Sequence, residues 1–373
     1  MSAGSASTVA VVGGGISGAV CASILASRGV SVSLFESGRG AGGRMSQRRE
    51  ITEDGKELFF DHGAPFFSVE HDEVKGLVES WMARGIVAEW NVRFASFDRA
   101  TAKFVDFEKE GASRRLVGIP GMNSICKALC LEPGVESKFG TTVGKMVWLP
   151  NRSIWSLTGL DGQDLGYFNG LVASDKNVAS PRFKEVTGRP PPLDVTSSLE
   201  GGMLLKDIPV CSCFAAMLAF QEPLSSVPVK GFSFKNSQVL SWAFCDTSKP
   251  GRSCVPDNVE CWVLHSTHEY AARIISMMGL QKPSNDILAK VAEELFQEFQ
   301  TVGPYIPRPL FMRAHRWGSA FPMTFIGGEE KCLWDKSKRL AICGDFCVSP
   351  NVEGAILSGL CAASKMIEIQ SNL

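Results

Sequence analysis

Residues 8–46 read TVAVVGGGISGAVCASILASRGVSVSLFESGRGAGGRMS, and the order of residues in this stretch decides the fold. Thr8 to Val12 is a short β-branched run suited to a buried parallel strand, and Gly13, Gly15 and Gly18 follow in the G-x-G-x-x-G spacing. The first glycine permits a tight turn, the second lets backbone approach a pyrophosphate, and the third lets the next helix pack closely on the strand. That helix is expected from about Ser17 to Arg28, its positive end aimed at the phosphates. Gly29 ends it, Val30 to Phe35 reads as a second strand, and Glu36 closes that strand where a carboxylate can accept ribose hydroxyls.

Gly42-Gly43-Arg44-Met45 comes directly after the second strand. A second glycine pair followed by arginine resembles the pattern flavoproteins use to wrap FAD, in which the glycines let backbone pass the pyrophosphate and Arg44 has the planar fork to neutralise it.

The remaining composition limits the function classes. The chain has 373 residues, 45% hydrophobic and 21% charged, enough for two packed lobes. A net charge of −1 points to neither nucleic acid nor an anionic membrane as partner. Twelve cysteines without a C-x-x-C pair read as buried thiols in a reducing compartment, and five scattered histidines suggest no metal. The first strand begins too early for a leader, no run suits a membrane span, and the expected location is cytoplasmic. Ser371-Asn372-Leu373 differs from a peroxisomal S-K-L address at its middle residue, which makes that location the minor alternative.

Further along, Leu58 to Phe67 reads as a strand that breaks at Gly63 into an extended aromatic stretch, and the small residues at 63 and 64 suit backbone lying against a flat ring. A helix is expected over 71–90, a hairpin over 92–105, and a helix from Ser124 to Leu131. Three short antiparallel strands follow between Thr141 and Tyr167, then an apolar strand at Leu171 to Ser174, and an exposed rigid connector at Arg189 to Pro192. From Val210 onward, four β-like segments precede a helix over 284–300. Leu340 to Asp345 returns as a buried strand, and Val352-Glu353-Gly354-Ala355 starts the last helix. Asp345 at that strand's end can bond a sugar-alcohol hydroxyl, and the helix start at Glu353, Gly354 and Ala355 can stabilise charge on a reduced flavin.

These motifs, in this order, resemble the flavin amine oxidase superfamily, and within it renalase-like enzymes. The narrower likeness rests on Gly118 to Met122, Asp246 to Arg252, Trp262 to His265 and His315-Arg316-Trp317. The resemblance implies an α/β fold: a Rossmann-type FAD-binding lobe with a discontinuous antiparallel-sheet substrate lobe of the p-hydroxybenzoate hydroxylase type. The expected division places residues 1–70, 112–205 and 338–373 in the FAD lobe and 71–111 and 206–337 in the substrate lobe. FAD would be held non-covalently by Gly13, Gly15, Ile16, Ser17, Gly18, Glu36, Ser37, Gly42, Gly43, Arg44 and Met45. His62, Gly63, Ala64, Val143, Gly344, Asp345, Glu353, Gly354 and Ala355 would complete that site. Loss of FAD is expected in Glu36→Ala and Gly15→Val.

The resemblance further implies an oxidase that takes hydride from the 2- and 6-dihydro isomers of NAD(P)H onto flavin N5. Electrons then pass to O₂, giving hydrogen peroxide and NAD(P)⁺. Candidates for the substrate wall are Trp262, His265, Arg313, His315, Arg316 and Trp317, since an aromatic face stacks a nicotinamide and a guanidinium binds phosphate. Asp175-Lys176-Asn177 departs from the Pro-Ala-rich turn that relatives often show. Two rivals stand beside this reading: an amine or polyamine oxidase, and a flavin- or nucleotide-binding module without turnover. Paired tyrosines expected of amine sites are missing before Glu353, and no second G-x-G-x-x-G serves a nicotinamide reductase.

Overall fold

The computed structural model describes residues 7–109, 111, 114–194, 208–252, 258–279 and 281–370. Ser371-Asn372-Leu373 and Cys254 lie outside these described residues.

Thr8–Val12 is the centre of a six-stranded sheet. It pairs in parallel with Ser31–Glu36 on one side and Gly170–Ala173 on the other. Val135–Phe139 and Leu340–Ile342 extend the parallel set, and Leu333–Asp335 closes one edge antiparallel. The strand period of two sorts the first strand's side chains. Val9 and Val11 face the helices Ile16–Ser27 and Val352–Gln370, while Ala10 and Val12 face a three-stranded antiparallel sheet with Val143, Met146 and Trp155. Small residues let the two helices touch: a Cβ on Gly359 would stand 2.4 Å from Ser17 O.

The second lobe is a seven-stranded sheet ordered Phe311–Pro322, Val210–Phe220, Glu260–Ser266, Leu240–Cys245, Gly231–Lys235, Phe94–Asp98 and Lys103–Val105. Only the Gly231–Lys235 pairing with Phe94–Asp98 is parallel. One face carries Phe214, Leu218, Trp262 and Leu264 against Leu295, Phe296 and Phe299 of the helix Asn285–Phe299. The opposite face carries Met217, Ala219, Cys261 and Val263, which receive Leu58 and Phe60 from the hairpin Gln47–Ile51/Glu57–Asp61. This hairpin docks the first lobe's chain on the second lobe's sheet.

Several expectations shift. The helix over 71–90 ends at Ala83, because Gly85 takes φ +70° and Val87–Glu89 pairs with Leu116–Gly118 instead. That Asp72–Ala83 helix buries Val74, Val78 and Trp81 in the first lobe's core, and Leu333–Asp335 also belongs to the first sheet, so both leave the substrate lobe expected from sequence. The connector at 189–192 is exposed only at its start: Pro192 is buried, and its carbonyl accepts from Met146 N at 2.9 Å. The twelve-residue strand Phe311–Pro322, the longest in the chain's description, and the helix His268–Met278 were not expected. No helix among the described residues is long and apolar enough to cross a membrane.

Candidate functional site

At the glycine turn, Gly13 takes φ +112° and its N–H donates to Phe35 O at 2.8 Å. A Cβ on Gly18 would stand 2.1 Å from Gly13 O, so only glycine lets the helix approach here. Gly15 is different. A Cβ built on it meets nothing within 4 Å, so this side of the turn is open for a ligand. Gly42 N–H donates to Gly14 O at 2.9 Å, and a Cβ on Gly43, at φ +54°, would lie 3.3 Å from Gly15 Cα. The two glycine segments therefore form one backbone cradle without side chains in it.

Glu36 accepts from Gly14 N and Gly38 N, both at 2.6 Å, and Ser37 Oγ lies 3.3 Å from it. A carboxylate has about four acceptor positions, so both ribose hydroxyls still find room. The cradle and Glu36 fit the adenosine diphosphate portion of a dinucleotide. Ile16, Ser17 and Met45 are buried behind it and shape it from beneath. Val143 lies in the core between the sheets, packed with Ala10, Val12 and Phe35, because its strand turns it inward.

Arg44 does not extend into the cradle. Its Nη1 and Nη2 donate to Asp345 Oδ2 and Oδ1, both at 2.6 Å, and Nη1 also donates to Ala320 O at 3.0 Å. Arg44 and Asp345 thus close the cradle's far end as a bidentate pair. Gly344 precedes this pair with φ +153°, and its N–H donates to Ser358 Oγ at 3.0 Å. Glu353 turns away from the cradle: its Oε1 accepts from Glu70 N and His71 N at 2.7 Å, tethering that loop. Gly354 N–H is capped by Asn351 Oδ1 at 2.7 Å, and Ala355 N–H donates to Asn351 O at 3.2 Å. Those two N–H donors are spent within the helix cap.

Gly63 and Ala64 turn the chain from the docking hairpin under the second sheet. Ala64 N–H donates to Arg44 O at 2.8 Å, and a Cβ on Gly63 would stand 1.9 Å from that oxygen and 3.2 Å from Trp317 Cζ2. Glycine is obligatory at this crossing. Immediately before it, His62 meets His315 and Trp317, with ring centroids 4.9 Å away in both cases and 4.8 Å between the latter two. Trp317 Nε1 donates to His62 O at 3.0 Å, and His265 Nε2 donates to the same oxygen at 3.2 Å.

Strand alternation explains which candidates converge. His265 shares a face with Cys261 and Val263, so it points at His62, whereas Trp262 points into the helix-covered core. Trp262 is fully buried there, and its indole N–H donates to Glu260 Oε1 at 2.7 Å. It is therefore a core residue. On the Phe311–Pro322 strand, Arg313, His315 and Trp317 lie towards the hairpin, with Arg313 bonded to Glu50 at 3.0 Å. Arg316 lies on the other face, 3.5 Å from Gly279 O, and leaves the wall.

The wall is electrically neutral at its centre. Burial lowers His62 to about 3, with His315, Arg48 and His265 adding to the effect. Burial also lowers His265 to about 4 and His315 to about 4, the latter helped by Arg48, Arg313 and Arg316. Cys347, the thiol nearest this edge in sequence, is buried with Sγ 3.7 Å from Ile342 O, and burial raises its pKa.

One cluster figures in the sequence only as part of a likeness, with no role given to it. Asp61, one residue before His62, is fully buried with Asp246, Lys249 and Arg252. Lys249 Nζ reaches Asp61 Oδ2 at 3.0 Å and Asp246 Oδ1 at 2.6 Å, while Arg252 bonds Asp61 and lies 3.3 Å from Asp246. Asp61 Oδ1 also accepts from Met122 N at 3.1 Å. The i, i+3, i+6 charge spacing of Asp246, Lys249 and Arg252 was the available signal. Among the described residues, no group of three or more His, Cys, Asp or Glu is arranged to hold a metal.

Residues 11–81 match the family model described as an NAD(P)-binding Rossmann-like domain. Over 75 residues the chain is 41% identical to a carotenoid φ-ring synthase of Streptomyces griseus, a match covering 20% of this chain and 14% of that relative's length. The whole fold is similar to those of solved oxidase structures. A protein described as a candidate protoporphyrinogen oxidase from Exiguobacterium sp. 255-15 superposes with a TM-score of 0.69 at 10% identity, covering 99% of this chain and 100% of the other. Wild-type putrescine oxidase bound to putrescine superposes at 0.62 and 12% identity, covering 98% and 99%. A triple mutant of putrescine oxidase gives 0.65 and 13%, covering 97% and 99%.

Proposed function

We propose that this chain is an FAD-dependent oxidase that converts the 2- and 6-dihydro isomers of NAD(P)H to NAD(P)⁺, with O₂ as acceptor and hydrogen peroxide as product. The observation that carries this reading is the wall of His62, His265, His315 and Trp317. Its histidines are held neutral, and the nearby charges are cations that already have carboxylate partners: Arg48 and Arg313 share Glu50, and Lys249 bonds Asp61 and Asp246. A dihydronicotinamide is an uncharged flat ring on an anionic dinucleotide, and suits such a wall. A polyamine is a flexible cation, and the neutral rings offer it no anion, because the nearby Glu50 carboxylate is already shared by Arg48 and Arg313.

FAD, when bound non-covalently in the glycine cradle, supplies the hydride-accepting chemistry. The chain's residues supply position. Gly13, Gly15, Gly42 and Gly43 admit the pyrophosphate, Glu36 takes the ribose, and the Arg44–Asp345 pair limits the flavin edge. Trp317 and His62 would form one face against which a donor ring lies, backed by the tight chain crossing at Gly63. A buried, protonated Cys347 is consistent with a flavin released intact on denaturation. A cytoplasmic location agrees with these thiols.

The test is anaerobic bleaching of the bound flavin. The 2- and 6-dihydro isomers are expected to bleach it rapidly, with peroxide formed on admitting air, and ordinary NADH, NADPH and amines are expected to act far more slowly. Bleaching by putrescine or another amine in preference to the isomers overturns the proposal.

A further inference from the structure

Beside the histidine wall lies a set of cations to which the reading so far gives no role. The chain leaves the Gly170–Ala173 strand through Lys176–Ala179, a 3-10 turn, and enters the helix Pro181–Thr187. This helix lays Arg182 across the Phe311–Pro322 strand. A Cβ on Gly318 would stand 2.1 Å from Arg182 Nη2 and 2.9 Å from its Cζ, so the guanidinium sits against the backbone one residue beyond Trp317. Two residues further, Ala320 O accepts from Arg44. The same strand therefore carries the aromatic wall, the seat of Arg182 and the closure of the cofactor cradle.

These cations are poorly matched. The carboxylate nearest Arg182 among the described residues is Glu185, at 3.9 Å. Lys176 is half-buried and lies within electrostatic reach of Arg44, Arg182, Asp175 and Asp345, but it has no ion pair among the described residues. Asp345 already spends both oxygens on Arg44, and Asp175 Oδ1 accepts from Asn177 N at 2.9 Å. A lysine partly removed from water without an ion pair, near an arginine held only by a carboxylate 3.9 Å away, costs free energy that a bound anion returns. Guanidinium and ammonium groups are the ones that grip phosphate oxygens most strongly.

We infer that Lys176 and Arg182 form the seat for the pyrophosphate of a dinucleotide substrate whose nicotinamide ring lies against Trp317; the inference rests on the function proposed above. The departure at Asp175-Lys176-Asn177 from the Pro-Ala-rich turn then has a use, since it puts a lysine at the mouth of the site.

Calorimetric titration of the FAD-loaded enzyme with ADP-ribose tests this seat, because ADP-ribose has the pyrophosphate but no nicotinamide; adenosine is the phosphate-free control. ADP-ribose should bind at least about tenfold more tightly than adenosine, and Arg182→Gln and Lys176→Gln should each weaken it about tenfold, the size of one lost charge-assisted bond. Its affinity in the unsubstituted enzyme should also fall steeply with added salt. Equal binding of ADP-ribose and adenosine, a flat salt response, or affinities within twofold in both flavin-retaining variants overturns the seat. Flavin bleaching separates the two failures. Isomers that bleach the enzyme while ADP-ribose ignores both cations overturn the seat alone, and ADP-ribose gripped by them without bleaching by any isomer overturns the proposed reaction alone.

Discussion

Asp61 and His62 are neighbours in the chain and both are buried, yet they enter opposite electrostatic worlds. Asp61 joins Asp246, Lys249 and Arg252 in a dry cluster of two anions and two cations, and that cluster pins the docking hairpin to the second lobe. Burial raises the pKa of Asp61 against the pull of Lys249 and Arg252. For Asp246 those same cations outweigh burial and hold it low. His62 joins two other histidines and a tryptophan that carry no charge, with cations at the margin. Matched buried charge is a fastening, because every group already has its partner. A site walled by neutral rings, whose neighbouring Arg48 and Arg313 already share Glu50, is a receptor, because what lies against the rings has to come from outside.

The largest effect that could break this comparison is on the fastening side. Lys249→Met leaves two buried carboxylates with one guanidinium, and a broken buried pair typically costs about 3–5 kcal/mol. Denaturant unfolding of the FAD-loaded protein should show that loss; a change below about 1 kcal/mol would mean that the cluster is incidental to stability.

A smaller effect is expected from acid. The wall histidines have pKa values lowered from 6.5 to about 3 and about 4, so the unfolded chain binds more protons than the native one between those limits. Their contribution to stability is complete above pH 6.5 and is lost as pH falls through that window. His62→Gln removes one such group. The stability difference between the unsubstituted enzyme and this variant should therefore shrink by about 2–3 kcal/mol from pH 7 to pH 4, given about 1.4 kcal/mol per unit of displacement. A difference independent of pH would show that His62 is not held neutral by its surroundings.

The smallest effect on stability belongs to Trp317→Leu. Its ring lies at the site and not in the core, so unfolding should change by about 1 kcal/mol or less, while flavin reduction by the donor slows by about tenfold or more. Trp262→Leu gives the contrasting result, a core loss of about 2–4 kcal/mol with the donor reaction little changed in the folded enzyme. If the two variants exchanged phenotypes, the assignment of Trp317 to the wall would be wrong.

The glycine turn, Glu36 and the second glycine pair were legible because their constraints are local. A backbone that must approach another backbone excludes every side chain, and that exclusion is written in the residue itself, as Gly13, Gly18 and Gly43 show. The β-rich second lobe was legible from its alternating segments. The strand Phe311–Pro322 was not, since its alternation of Met312 and Ala314 with Arg313 and His315 serves two unlike faces and looks polar when read as one run.

The sequence by itself determined a dinucleotide cradle followed by a β-rich lobe, because turn geometry and strand period act over a few residues. Only the tertiary structure decided that Trp262 belongs to the core while Trp317 joins His62, and that Glu353 holds a loop. It alone set Arg44 on Asp345 and Arg182 on Gly318. Those roles depend on which face of a strand turns to which neighbour, and the neighbours lie some two to three hundred residues apart for His62 with Trp317, Arg44 with Asp345 and Glu353 with Glu70.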